Sequence, residues 1–140
     1  MTIALAIRAE LERRRRQGQV GVDAGRMNRD AVNRNLFIWR DMVMWAGGDV
    51  PVGTIDFSGW ATAAMTAAHK TAARLQTAQQ ASKPLAPSAP RGAALACADG
   101  WNTETITHAN TLRAAAIKLH SLSVVNAALR AQVQQEKIAA

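Results

Sequence analysis

Four consecutive arginines, Arg13 to Arg16, follow Glu10 and Glu12, and Arg26, Arg29 and Arg34 come soon after. A guanidinium presents a planar fork of N–H donors that matches a phosphate oxygen pair, so this set suits contact with a nucleic-acid backbone. Arg13, Arg15, Arg16, Arg26, Arg29 and Arg34 are the candidate contacts, because a turn after the arginine run brings both groups to one end of a helical hairpin. Six such contacts on duplex DNA give a log-log salt slope of about −5. A structural role competes with this. Glu10 precedes Arg14 by four residues and Glu12 precedes Arg16 by four, the favourable acid-first order on a helix. Cations in a last helical turn also complement the unpaired carbonyls, by ~0.3 to 1 kcal/mol each. Asp23 and Asp30 add further partners for a solvated helix end.

Other reactive groups are sparse. His69, His108 and His120 fall on two expected helices, with spacings that send them in different directions, so no metal site is expected. Cys97 is the single cysteine; it excludes an intramolecular disulfide, and its pairing with His108 as nucleophile and base is less probable than an inert thiol. Asp49 and Asp56 flank a glycine-rich loop and fit turn or capping bonds better than acid–base work. No phosphate-binding glycine loop, HExxH or GxSxG motif is present. The sequence therefore points to a non-enzymatic protein with no cofactor.

The 140 residues suit a single domain, and 49% apolar residues against 19% charged allow it a core. The net charge is +7, and residues 1–45, with nine arginines and five acids, supply +4 of it. An acidic partner, DNA, RNA or a nucleoprotein, would be attracted. No run approaches the ~18 apolar residues of a membrane helix, and Arg8 and Glu10 interrupt the opening residues unlike a signal peptide. The expectation is a cytoplasmic protein without membrane contact.

Abundant alanine and sparse β-branched residues predict an all-α fold of about four helices, because alanine loses no side-chain entropy in a helix. Ile3, Ile7 and Leu11 mark a first helix over about 2–17, with Gly18, Gly21 and Gly25 breaking it. Asn28 caps a second, about 29–46, apolar on most sides and so expected at the centre of the domain. Residues 47–58 read as a loop, in which Val50 to Ile55 has the composition of a short edge strand but for Pro51. Ser58 is the expected cap of a third helix, 59–81, whose alanine stripe allows close packing. Residues 83–92 form a Pro-rich linker before a long fourth helix, 103–137, capped by Asn102 or Thr103.

That last helix carries Leu112, Leu119, Asn126 and Val133 at one heptad position and Ala115, Leu122 and Leu129 at the other. Asn126 among leucines resembles the polar core position of a parallel leucine zipper. No charged pair of opposite sign flanks the seam, so packing within the chain's own bundle is favoured, with a homodimer through Leu119, Leu122, Asn126, Leu129 and Val133 as the alternative. Trp45 and Trp101, beside glycines, are the further candidates for a partner surface, since tryptophan is enriched at interaction hot spots.

The stretch RRRQGQVGVDAGRM, Arg14 to Met27, resembles a helical-hairpin pattern of small phage and prophage proteins, in which an arginine run, an aromatic-proline turn and AGRM lead into a second helix. The arginines, Val22, Ala24, Gly25, Arg26 and Met27 match; Gly18 and Gln19 stand where the aromatic-proline turn would be. The resemblance covers roughly residues 10–45 and implies a hairpin and a mobile-element origin, with no functional residue carried over. It narrows the expected roles to nucleic-acid handling, a virion or assembly component, or an inhibitor of a host defence protein in the manner of an anti-CRISPR.

Overall fold

The computed structural model describes the backbone of residues 1–81 and 92–139 and the side chains of residues 1–80 and 103–139. Among these residues the protein is all-α, with α1 (Ile3–Asp23), α2 (Arg29–Ala46), α3 (Phe57–Ala81) and α4 (Gly92–Ala139) and no strand. α1 and α2 form one hairpin, α3 and α4 a second, and α1 lies against α4 to join them. Apart from Gly92, where α4 starts, the Pro-rich stretch 83–92 lies outside the described residues.

Thr2 starts α1, its Oγ1 accepting the Leu5 amide at 3.2 Å. The helix then continues past the expected stop near residue 17 to Asp23, with Gly18 and Gly21 buried inside it. A Cβ on Gly18 would stand 2.5 Å from Val32 Cγ1, and one on Gly21 would stand 2.5 Å from Met27 Sδ. The two glycines are seats for the returning chain rather than helix breakers. Glycine inside a helix costs roughly 0.5–1 kcal/mol against alanine, and here the close approach of α2 offsets that cost. Gly25, at φ 70°, ends the helix, and the Arg26 amide turns back onto the Gly21 carbonyl at 2.9 Å.

Asn28 caps α2 as expected, its Oδ1 accepting from the Asp30 amide at 2.8 Å. The helix buries Leu36, Trp39 and Met42, yet leaves Phe37 and Ile38 50% and 41% exposed. It is therefore covered on one side only, because its main partner is α1; the expected central placement does not hold. The connection to α3 contains no strand, and Val50 and Val52 face outward. It is pinned instead by the buried Asp41, whose Oδ2 accepts from the Gly53 amide at 3.2 Å.

α3 begins two residues before the expected 59, because Asp56 and not Ser58 supplies the cap: Asp56 Oδ1 accepts from the Gly59 amide at 3.0 Å. Trp45, Phe57 and Trp60 meet there as a ring cluster with centroids 5.6 to 6.0 Å apart. Small residues allow the second hairpin to close tightly: α3 buries Ala61, Ala64, Ala67 and Ala68, and α4 buries Ala109, Leu112, Ala115, Ala116 and Leu119. α4 also passes through Asn102 and Thr103 without a cap there. Its heptad row divides. Leu112, Ala115 and Leu119 are buried, Leu122 and Asn126 are half-buried, and Leu129 and Val133 are 54% and 49% exposed.

The two helical glycines give contrasting expectations. Gly18→Ala meets a stiff valine and should lower stability in urea denaturation by about 1–3 kcal/mol, the usual cost of overpacking, with Val32→Ala restoring most of it. Gly21→Ala meets Met27 along its Sδ, Cγ and Cβ; the thioether end can swing aside but the Cβ moves only with the turn, so about 1 kcal/mol should be lost and Met27→Ala should restore only part of it.

Candidate nucleic-acid interface

The arginine block sits over a buried acid. Glu10 is 0% exposed. On the helix it belongs to the same stripe as Ile3, Ile7 and Leu11, so the geometry that buries those side chains buries its carboxylate as well. An isolated carboxylate there would be expensive, and the chain satisfies it within one turn. Arg13 donates its Nε to Oε2 at 2.9 Å and its Nη2 to Oε1, and Arg14 donates its Nε to Oε1 at 2.8 Å. From α4, His108 Nε2 stands 3.6 Å from Oε2, beyond ordinary hydrogen-bond distance. Burial pushes the Glu10 carboxyl up, but the Arg13 hydrogen bonds, the His108 imidazole and the charges of Arg13 and Arg14 outweigh it and hold it at about 2, down from 4.5.

The two inward arginines are held on their far sides too. Arg13 Nη1 donates to Gln17 at 2.6 Å, and Arg14 Nη1 donates across the hairpin to Asn35 at 2.9 Å. The Arg14 guanidinium carbon also lies 4.7 Å from the centre of the Trp39 ring. Trp39 Nε1 and His108 Nδ1 are buried with no hydrogen-bond partner among the described residues.

The six arginines expected to contact nucleic acid thus divide by geometry. Arg13 is spent on Glu10, and Arg15 pairs with Glu12 at 3.0 Å on the exposed face. Arg16, Arg26, Arg29 and Arg34 form no ion pair among the described residues. Arg16 and Arg26 line one groove at the closed end of the hairpin, with Val20 and Met27 between them. Arg29 reaches back to Gln19 at 3.3 Å, and Arg34 borders a shallow depression with Asp30, Asn33 and Phe37. Asp23, expected as an arginine partner, accepts from Gln19 at 2.7 Å instead.

The residues expected at a partner surface are not brought together. Trp45 turns its ring onto Phe57 and Trp60, and Leu119 lies in the core. Asn126 borders a groove with Ile55 and Asp56 of the loop and Phe57 and Ser58 of α3, which places it beside the chain's own α3 start. Leu129 and Val133 remain open, and the Trp101 side chain lies outside the described residues. The Cys97 side chain lies outside them as well, so its pairing with His108 has no geometry to assess. Among the described residues no three His, Cys, Asp or Glu side chains converge as metal ligands, and no helix is long and apolar enough to cross a membrane.

Two cations went unmarked in the sequence. Lys70 and Arg74, one turn apart on α3, line the same cleft as Arg13 and Arg14. Nothing local marks them, because they reach the arginine block only through the packing of one hairpin on the other. No protein-family model, curated protein or solved structure matches the chain.

The buried carboxylate makes stability depend on acid. Glu10 binds a proton near 4.5 when unfolded and near 2 when folded, so its stabilisation is fully present above about pH 5 and is lost as the pH falls through about 2. The shift corresponds to roughly 3 kcal/mol at neutral pH. Glu10→Gln should therefore cost about 3 kcal/mol in urea denaturation at pH 7 and flatten the acid limb of the stability curve. An unchanged acid limb would show that Glu10 is not the titrating group.

Proposed function

We propose that this is a non-enzymatic binding protein of phage or prophage type that acts in the cytoplasm of a bacterial host by contacting DNA, RNA or a nucleoprotein through the closed end of its first hairpin. The observation that carries the reading is a set of four arginines, Arg16, Arg26 and Arg29 at that end and Arg34 further along α2, which form no ion pair among the described residues. Asp23 and Asp30 lie in the same stretch, yet Asp23 is engaged by Gln19 and neither pairs with an arginine among the described residues. Arg16 and Arg26 offer charge-assisted donors to phosphate oxygens with no ion pair to break among the described residues, and Arg29 gives up only its hydrogen bond to Gln19, which keeps the cost of binding low. The likeness of Arg14 to Met27 to phage hairpin proteins supports the origin, and the small apolar patch of Val20 and Met27 gives the groove a surface against which a sugar or base can rest.

Titration of a fluorescent random-sequence duplex tests it. Submicromolar binding at low salt should collapse between about 50 and 200 mM, with a log-log slope of about −4 for four contacts. Replacing Arg16 and Arg26 together by alanine should reduce that slope by about 2. No binding at low salt would remove the reading.

A second reading, a virion or assembly part or an inhibitor of a host defence protein, is favoured by the row Val125, Leu129 and Val133, each about half exposed on α4. In that case light scattering should show a concentration-dependent mass, from a homodimer or a bound partner protein, that Leu129→Asp reduces to the monomer.

A further inference from the structure

Where the two hairpins meet, a cleft of about 410 Å³ opens to solvent. Its rim is cationic on both sides. Arg13 and Arg14 come from α1 and Lys70 and Arg74 from α3, while Val32 and Leu36 of α2 form an apolar wall. Among the described residues the only carboxylate paired with this group is Glu10, which lies beneath and is already bound by both arginines. Four cations over one carboxylate leave a local excess of three positive charges, held together by tertiary packing and not by chain proximity.

The α3 cations have donors to spare. Lys70 makes no ion pair among the described residues. Arg74 gives Nη2 to Thr71 Oγ1 at 2.8 Å and forms no ion pair among the described residues. Partial burial, then the charges of Arg13 and Arg14, hold the Arg74 guanidinium below its ordinary value, with Glu10 pulling the other way. Bringing these groups together is unfavourable in the free protein, and a bound anion relieves it.

We propose that this inter-hairpin cleft is a binding site for a phosphate group carried by a small phosphomonoester, with Lys70 and Arg74 as its principal donors and Arg14 and Asn35 on the opposite side. A phosphate dianion compensates the excess that Glu10 leaves, and guanidinium and ammonium donors suit its oxygens. The cleft volume lies in the range of small-molecule sites and exceeds what phosphate alone needs, and the Val32 and Leu36 wall gives the organic part of the ester a place to lie. This site is separate from the hairpin-end arginines and does not depend on the nucleic-acid reading.

The test uses the full chain with inorganic phosphate, adenosine 5′-monophosphate and adenosine as probes, at ionic strength matched with chloride, read by thermal shift and by amide chemical-shift changes. Phosphate or the monophosphate at about 10 mM, the weak end of specific binding, should raise the melting temperature and move resonances around Lys70 and Arg74. Lys70→Gln and Arg74→Gln, both at exposed positions, should each weaken binding about tenfold. The Arg16→Ala and Arg26→Ala pair should leave it unchanged, so loss of duplex binding and loss of phosphate binding are read separately. Tighter binding of the monophosphate, with none by adenosine, assigns the site to an ester; equal binding of both phosphates assigns it to free phosphate and overturns the ester. No response to either phosphate, or an equal response in the Lys70→Gln and Arg74→Gln double variant, overturns the site itself.

Discussion

The constraint on which the rest depends is a single carboxylate placed where water cannot reach it. Glu10 occupies a core position of α1, and a buried anion is tolerable only when its lone pairs are filled and its charge is matched. Arg13 and Arg14 do this from the same helix, and His108 contributes from α4. The pairing also fixes where the arginines are. Two of the four in the run are drawn inward, and one of them, Arg14, clasps α2 as well through Asn35 and Trp39. Removing the acid therefore disturbs more than a salt bridge: it frees the residues that hold the first hairpin shut and that locate it against the second.

Packing elsewhere relies on small residues. Gly18 lets α2, and Gly21 the turn before it, return close to α1, and the alanines of α3 let α4 lie tightly alongside. Bulk is concentrated in a few places, Trp39 within the core and the Trp45, Phe57 and Trp60 cluster where the loop enters α3. Close-packed interiors of this kind respond to a single added methyl group, because a void able to absorb it is absent from a tight interface.

What the sequence made legible was what depends on neighbours along the chain. Helical periodicity, the Asn28 cap and the turn at Gly25 are local, and the structure has each of them. Gly18 and Gly21 read as breakers because an isolated helix has no reason to keep them; the reason lies in the returning chain, Val32 of α2 for the first and Met27 of the turn for the second. Glu10 did carry a signal, its place on the Ile3, Ile7, Leu11 stripe, which outranks its four-residue spacing to Arg14. Asp56 lies two residues before Ser58 and either type can cap, so the boundary turned on backbone geometry. The convergence of Lys70 and Arg74 on the arginine block had no sequence mark, since it is produced wholly by one hairpin docking on another.

The stacking of Arg14 on Trp39 gives the molecule an optical consequence. The indole senses a positive charge held over its face and a boundary with the core on its other side. Any occupant of the cleft that pulls Arg14 off the ring alters the field across the chromophore, and the colour of its emission must follow. With phenylalanine at the three other tryptophan positions, the chain would report on its own charged junction without an attached dye.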